Sequence, residues 1–485
     1  MIMKKTITAI ITAALCLPLL SGCGKWLDVK PYDEIAEDDL LSTQDGFMRL
    51  LNGIYIELND DMLYGGAMTV EMIEIMGGAY TIGSDNSIWG NYNDIASYEY
   101  DTDYWRTRFS ETWNKAYSLI LNCNLLLAQI DGKRELFTGD NYYIVKGEAL
   151  ALRAMLHFDM LRLFGPVYSR NPGATSIPYY TRYSVTPEEA QPASVIAEKV
   201  LADLTEARIL LSVDPVITEG TKMEGATDGS SNFLNYRSLR LNYYAVTGLL
   251  ARANLWFGNR EQAYNYAQEV IRAANSGIFP FVDRSLVTGS PEDPDRIFSS
   301  EILFALSHAQ REELFNNYFD PSRLPNYVFR MDNDMFSNRI FGGTETGGNL
   351  DDYRCRVNWI ATGSNRYFYK YSDMANTGDI RNTMIPMLRL GEMYLIAAET
   401  QSEDLAAGVS YINILRSNRG VNSLASLNKS LLQYEYIREL YGEGQLFFMY
   451  KRMYSPVMFS VTDSENPQPS DEIFVVPLPD SETQN

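Results

Sequence analysis

The chain has 485 residues, 46% of them apolar, and a formal net charge of −21. That length and apolar content support a large buried core and exclude a disordered polymer. The acidic balance argues against nucleic acid or anionic head groups as partners.

Taken from the start, Lys4 and Lys5 precede an apolar run from Ile7 to Leu20, which is broken near its end by Pro18. This is the charged and apolar pattern of a secretory signal, too short for a membrane-spanning helix. Leu20-Ser21-Gly22-Cys23 matches the bacterial lipobox, so the reading is a signal peptide over 1–22 and a lipid-anchored Cys23. Removing 1–22 deletes Lys4 and Lys5 and no acid, which takes the charge from −21 to −23. Several acyl chains, each burying methylenes at about 0.8 kcal/mol apiece, would then hold the protein at a membrane through lipid alone.

Helical periodicity follows in nine segments: 43–60, 113–130, 141–163, 193–211, 236–257, 261–275, 387–401, 404–418 and 430–453. In the first, a Ser42/Thr43 cap signal precedes Phe47, Leu50, Leu51, Ile54 and Leu58 at helical spacing. The third stops at Gly165-Pro166, because the residue before proline is disfavoured in the α region. Strand signals elsewhere are weak. The pair at 236–275 turns at Gly258-Asn259 and places Gly248, Ala251, Ala263 and Ala267 where helices approach closely. Its length is near that of a tetratricopeptide unit, although the Trp, Tyr and Pro positions of that repeat are not kept. A second such hairpin spans 387–418, and 43–60 with 113–130 and 141–163 with 193–211 complete four pairs. No single pair buries its own apolar face, so the expected fold is mostly α, a tetratricopeptide-like scaffold of stacked helical pairs.

Two long insertions interrupt that scaffold, at 61–112 and 276–386, and loops of such length are rare without a function. Aromatics, 12% of the chain, gather in them. Tyr80, Trp89, Tyr92, Tyr98, Tyr100, Tyr104 and Trp105 lie in one; Phe315, Tyr318, Tyr327, Phe329, Trp359, Tyr367, Phe368 and Tyr369 lie in the other. SDNSIWGNYND (84–94) sets rings among amides and turn formers, which places Trp89 at a loop tip. Rings beside Asn, Asp and Arg suit a sugar, whose C–H face stacks while its hydroxyls find polar partners. The candidate ligand residues are Tyr80, Asp85, Trp89, Asn91, Tyr92, Tyr327, Trp359 and Arg366.

Catalytic signatures are missing. There is no H-E-x-x-H, C-x-x-C, G-x-S-x-G, G-x-G-x-x-G or P-loop, and only two histidines, His157 and His308. His157 falls within a helical pattern and reads as structural. Paired carboxylates of a glycosidase come from distant parts of a fold and are not visible in a sequence. With Cys16 in the signal and Cys23 acylated, Cys123 and Cys355 remain; buried thiols are the reading, with a disulfide as the alternative. No cofactor is expected, and no residue pattern indicates calcium or another metal.

Segments spread over nearly the whole length resemble the SusD/RagB family of outer-membrane nutrient-binding lipoproteins of Bacteroidetes. They are CGKWLDVKP (23–31), ALRAMLHFDMLRLFGPV (151–167), IPYYT (177–181), ADLTEARILL (202–211), MLRLGEMYLIAAE (387–399), INILRSNRG (412–420) and EYIRELYGEG (435–444). Two departures follow the last: Gln445 stands where the family usually has arginine, and Tyr450-Lys451 where it has Asp-Leu. The resemblance implies one domain over 23–485 with the scaffold at about 43–60, 113–275 and 387–453. It also implies a cell-surface protein that hands oligosaccharide to a SusC-like TonB-dependent outer-membrane barrel without catalysis. The alternatives are a peptide-binding protein of the RagB type or a lipid-anchored glycosidase.

Overall fold

A computed structural model describes residues 39–82, 89–225, 231–289, 292–323, 328–343, 345–458 and 467–483. Cys23 and the signal region lie outside the described residues.

Helix α1 (Gln44–Glu57) starts where the Thr43 hydroxyl accepts from the Gly46 N–H at 3.1 Å, and it buries Phe47, Leu51 and Ile54. Between it and α4 lie two short helices, α2 (Met72–Met76) and α3 (Trp89–Ala96). Helix α4 (Asp103–Ile130) is 28 residues long and starts ten residues earlier than its apolar stripe predicts, so the first insertion is in part helical. Then come α5 (Asn141–Phe164), α6 (Ala193–Leu210), α7 (Tyr243–Trp256) and α8 (Arg260–Asn275). Helix α5 is buried along nearly its whole second half because α4, α6 and α7 pack around it. Asn242 caps α7 by accepting from the Tyr244 and Ala245 N–H groups, both at 2.9 Å, so the helix begins seven residues after the start expected at 236.

The second insertion holds strand β1 (Ile302–Ser307), helix α9 (Arg311–Tyr318), strand β2 (Met331–Asp332), helix α10 (Tyr353–Asn358) and strands β3 (Trp359–Thr362) and β4 (Asn365–Phe368). Strand β5 (Met384–Arg389) pairs antiparallel with β1 in the register Ile302 to Arg389 and Ser307 to Met384. The other sheet has the order β2-β4-β3. Gly248 on α7 faces β5 so closely that a Cβ would stand 2.6 Å from Leu388 Cδ2, which explains the small residue read from the sequence.

Helix α11 (Leu390–Thr400) follows β5 directly, so residues 387–389 are strand and not helix. Helix α12 (Val409–Ser417) completes that hairpin. The segment expected as one helix over 430–453 is two, α13 (Lys429–Leu440) and α14 (Leu446–Met453). The break contains Gly442 and Gly444 at φ +71° and +67°, and a Cβ on Gly444 would sit 1.9 Å from the Met68 carbonyl oxygen.

Buried ion pairs bind the second insertion to this C-terminal part. Arg354 pairs with Asp352 (2.6 Å), Glu435 (3.2 Å) and Glu439 (3.1 Å). Arg389 reaches Glu439 and Glu443 at 2.7 Å each, and Arg419 reaches Glu301 and Glu439 at 2.6 Å each. Each of these side chains is at most 4% exposed, so every charge depends on its partners. Arg252–Glu392 (2.6 Å) and Arg452–Glu399 act likewise.

The two departures from the family pattern have partners. Gln445 accepts from Arg162 at 2.9 Å, while Lys451 donates to the Leu163 and Gly165 carbonyls at the end of α5. His157 is structural: Nδ1–H donates to the Arg153 carbonyl (2.9 Å) and Nε2 accepts from the Tyr180 N–H (3.0 Å). Burial pushes its pKa down to about 3. Cys123 and Cys355 are free, buried thiols, and burial pushes each up to about 12.

Candidate ligand-binding site

The two insertions meet. From the first come Tyr80, α3 with Tyr92, and the opening turns of α4 with Tyr104, Trp105 and Arg108. From the second come Tyr318 at the end of α9 and Phe329 just before β2. Tyr80 lies parallel to Phe329 with centroids 4.4 Å apart, and Tyr318 lies nearly parallel to Phe329 at 5.5 Å. Tyr92 meets Phe329 edge-on at 5.3 Å. The result is a stack running outward, from Tyr80 at 1% exposure to the half-buried Tyr318.

A charged group lies among these rings. Glu71, 1% exposed, accepts from the Tyr92 hydroxyl at 2.9 Å and pairs through its other oxygen with Arg108. Burial raises the Glu71 pKa, opposed by the Arg108 charge and the Tyr92 hydrogen bond. The Arg108 guanidinium sits 5.7 Å from the Tyr104 ring centre and 5.9 Å from that of Trp105. The Trp105 indole N–H donates to the Asn91 carbonyl, which ties α3 to α4. Tyr104, 36% exposed, is the outer ring. Such a site offers an apolar shelf next to polarised hydroxyls and a guanidinium. Both oxygens of Glu71 are already engaged.

The sequence-derived residues divide. Tyr80 and Tyr92 enter this cluster, but Tyr80 is a correction: its ring is core, and its hydroxyl donates to the Val70 carbonyl at 2.8 Å. Trp359 is corrected in the same way. It is 8% exposed and packed on Phe336, Phe368 and Tyr441 at 5.1, 5.1 and 4.8 Å, because the insertion needs a core of its own. Arg366 lies on β4, with its guanidinium 5.0 Å from the Phe336 ring centre and its Nε donating to Asn333 Oδ1 at 3.0 Å, apart from the Glu71 group. Asn91 is exposed at the edge of the cluster. Trp89 opens helix α3 instead of tipping a loop, and its side chain lies outside the described residues, as do Asp85 and Tyr327.

Sequence reasoning misses Glu71, Arg108, Tyr318 and Phe329 as site residues. The signal for Arg108 was Tyr104 four residues earlier, a same-face spacing hidden by the late predicted start of α4. Among the described residues no group of three or more His, Cys, Asp or Glu side chains is placed to hold a metal ion.

The architecture is thus a scaffold of helical pairs that carries a ring-lined junction of two insertions. A family model described as SusD-like, starch-binding and associating with the outer membrane matches residues 25–223, and the model of the SusD family matches 309–471. The chain belongs to the SusD/RagB family. No curated protein matches this sequence.

Among solved structures, a SusD-like carbohydrate-binding protein from Bacteroides vulgatus is 20% identical, with 91% of this chain and 96% of that one covered and a TM-score of 0.67. A SusD superfamily protein from Bacteroides thetaiotaomicron is also 20% identical, over 91% and 97%, with a TM-score of 0.64. A laminarin-binding SusD-like protein is 16% identical over 91% and 97%, with a TM-score of 0.63.

Proposed function

We propose that the protein captures oligosaccharide at the cell surface and delivers it intact to a SusC-like TonB-dependent outer-membrane barrel, held to the membrane through Cys23. The observation that carries this reading is the meeting of the two insertions, where Tyr104, Tyr92 and Tyr318 border the Glu71–Arg108 pair. A sugar stacks on rings by its C–H face and exchanges hydroxyl hydrogen bonds with flanking polar groups. The laminarin-binding relative supports a glycan as ligand. Among the described residues no helix is long and apolar enough to cross a membrane.

A glycan array followed by calorimetry tests the reading. Tyr104→Ala should weaken glycan binding about tenfold or more with little change in melting temperature, because the ring is partly exposed. Recovery of every oligosaccharide uncut supports delivery without catalysis, and released products would favour a glycosidase. Binding of peptides alone would place the protein with the peptide-taking branch. Cys23→Ala should release the protein from membranes with its glycan affinity intact.

A further inference from the structure

Helix α4 lines a cavity on the side away from the junction of the insertions. Tyr117 is nine residues, about two and a half turns, beyond Arg108 and so points the opposite way. There Trp113, Tyr117 and Tyr180 wall a cavity of about 210 Å³ that also touches Asn114, Asn124, Arg182 and Glu482. Trp113 and Tyr117 are 4.4 Å apart, and Tyr180 stands at 77° to Tyr117 at 5.6 Å, so the rings form a corner.

The corner is held rigidly. The Tyr117 hydroxyl donates to the Pro178 carbonyl at 3.0 Å, and the Tyr180 hydroxyl accepts from the Glu188 N–H at 3.1 Å. Asn124 is committed too, donating to the Tyr180 carbonyl and accepting from Arg153.

Other polar groups keep donors or acceptors to spare. Trp113 is 3% exposed, yet its indole N–H finds no protein acceptor among the described residues. Asn114 and Glu482 are exposed, and Arg182 is 78% exposed with a single pairing to Glu188 at 3.3 Å. Val185, 91% exposed, and Tyr183, 42% exposed, continue the apolar surface outward.

We propose that this cavity is a second glycan site, which takes one neutral sugar ring on the side of α4 opposite the junction of the insertions. Its volume is below the roughly 300–1,000 Å³ of sites for drug-sized ligands, so it suits a single ring and not a chain. One cation and one carboxylate at its edge leave no net charge, which favours hydroxyls over a phosphate or an acid. Asn114 and Arg182 at the rim offer donors that a sugar's hydroxyls engage and a purely apolar occupant leaves unused. The choice of a glycan rests on the function proposed above; the cavity and its spare donors do not.

The test uses the whole protein labelled with ¹⁵N-tryptophan, with the Trp113 indole signal assigned by Trp113→Phe. Methyl glycosides of glucose, galactose, mannose and xylose are titrated in turn. At least one should move the Trp113 signal saturably, in the millimolar range usual for a single ring. N114A/R182A, both surface positions, should weaken that titration about tenfold at unchanged melting temperature, and Y104A should leave it unaltered. No movement of Trp113 with any glycoside, or a titration that N114A/R182A leaves unchanged, overturns the second site. So does a titration that Y104A abolishes. If Trp113 responds while Y104A has no effect on oligosaccharide affinity, the junction reading fails and the second site stands.

Discussion

Replacing Glu74 by Gln should shift the stability difference between the two proteins increasingly toward the variant as pH rises. Glu74 is fully buried on α2, where its two oxygens accept from the Gly442 N–H (3.1 Å) and the Gln445 N–H (3.2 Å). Burial outweighs those hydrogen bonds and pushes its pKa up to about 8. A group whose folded pKa lies above its unfolded value contributes stability that is fully present below the unfolded pKa. That contribution is lost as pH rises through the folded pKa. The window therefore runs from about pH 4.5 to about pH 8. At roughly 1.4 kcal/mol per unit, the loss across it approaches about 5 kcal/mol, with about 3 kcal/mol gone by pH 7. Glutamine cannot ionise, so its curve lacks this slope, although its amide nitrogen turns a donor toward one of the two N–H groups and lowers the whole curve by about 1–3 kcal/mol. Urea unfolding of both proteins at pH 5, 7 and 9 measures the difference. A gap that widens by several kcal/mol in favour of Gln is expected; parallel curves would refute the assignment of a buried, neutral Glu74.

Gly444→Ala should cost roughly 2–4 kcal/mol, because φ is +67° and the new Cβ meets the Met68 carbonyl; a thermal melt checks it. Arg419→Met strands Glu301 in the interior and takes one of three arginine partners from Glu439, and it should cost about 3–5 kcal/mol by denaturant unfolding. Burial holds the His157 pKa down near 3, so its contribution is full above about pH 6.5 and declines as pH falls. His157→Gln should flatten acid unfolding between those limits, as read by circular dichroism against pH.

Helices with a cap and a one-sided apolar stripe could be read in the sequence. Thr43 and the Phe47–Leu51–Ile54 series place α1, and Gly165-Pro166 ends α5 within a residue of the expected position. The first ten residues of α4 carry only Trp105 and Phe109 as apolar side chains on the buried face that Trp113 and Ala116 continue, and the polar Arg106, Thr107, Arg108 and Ser110 between them dilute that stripe. Strands β1 and β5 are short continuous apolar runs, which periodicity does not distinguish from buried helix, and Met387–Arg389 reads as helix for that reason. The break at Tyr441–Gln445 depends on where Gly442 and Gly444 meet Phe368 and Met68, contacts far apart in the chain. The site was legible as a region and not as a set of residues. Composition puts rings in both insertions, but only packing decides that Tyr80 and Trp359 turn inward while Tyr104 stays out. The Glu71–Arg108 pair spans 37 positions and has no local signature.

The lattice of arginines and glutamates that joins Asp352, Arg354 and Glu301 to α13 and to the end of β5 restricts how prey can be taken. Its charges sit beyond the reach of dissolved ions, and no joint along it opens without stranding several of them at once. A jaw-like swing of the rear half of the second insertion is therefore too costly to accompany each capture. The rear of the second insertion stays seated on α13 as one body with the C-terminal helices.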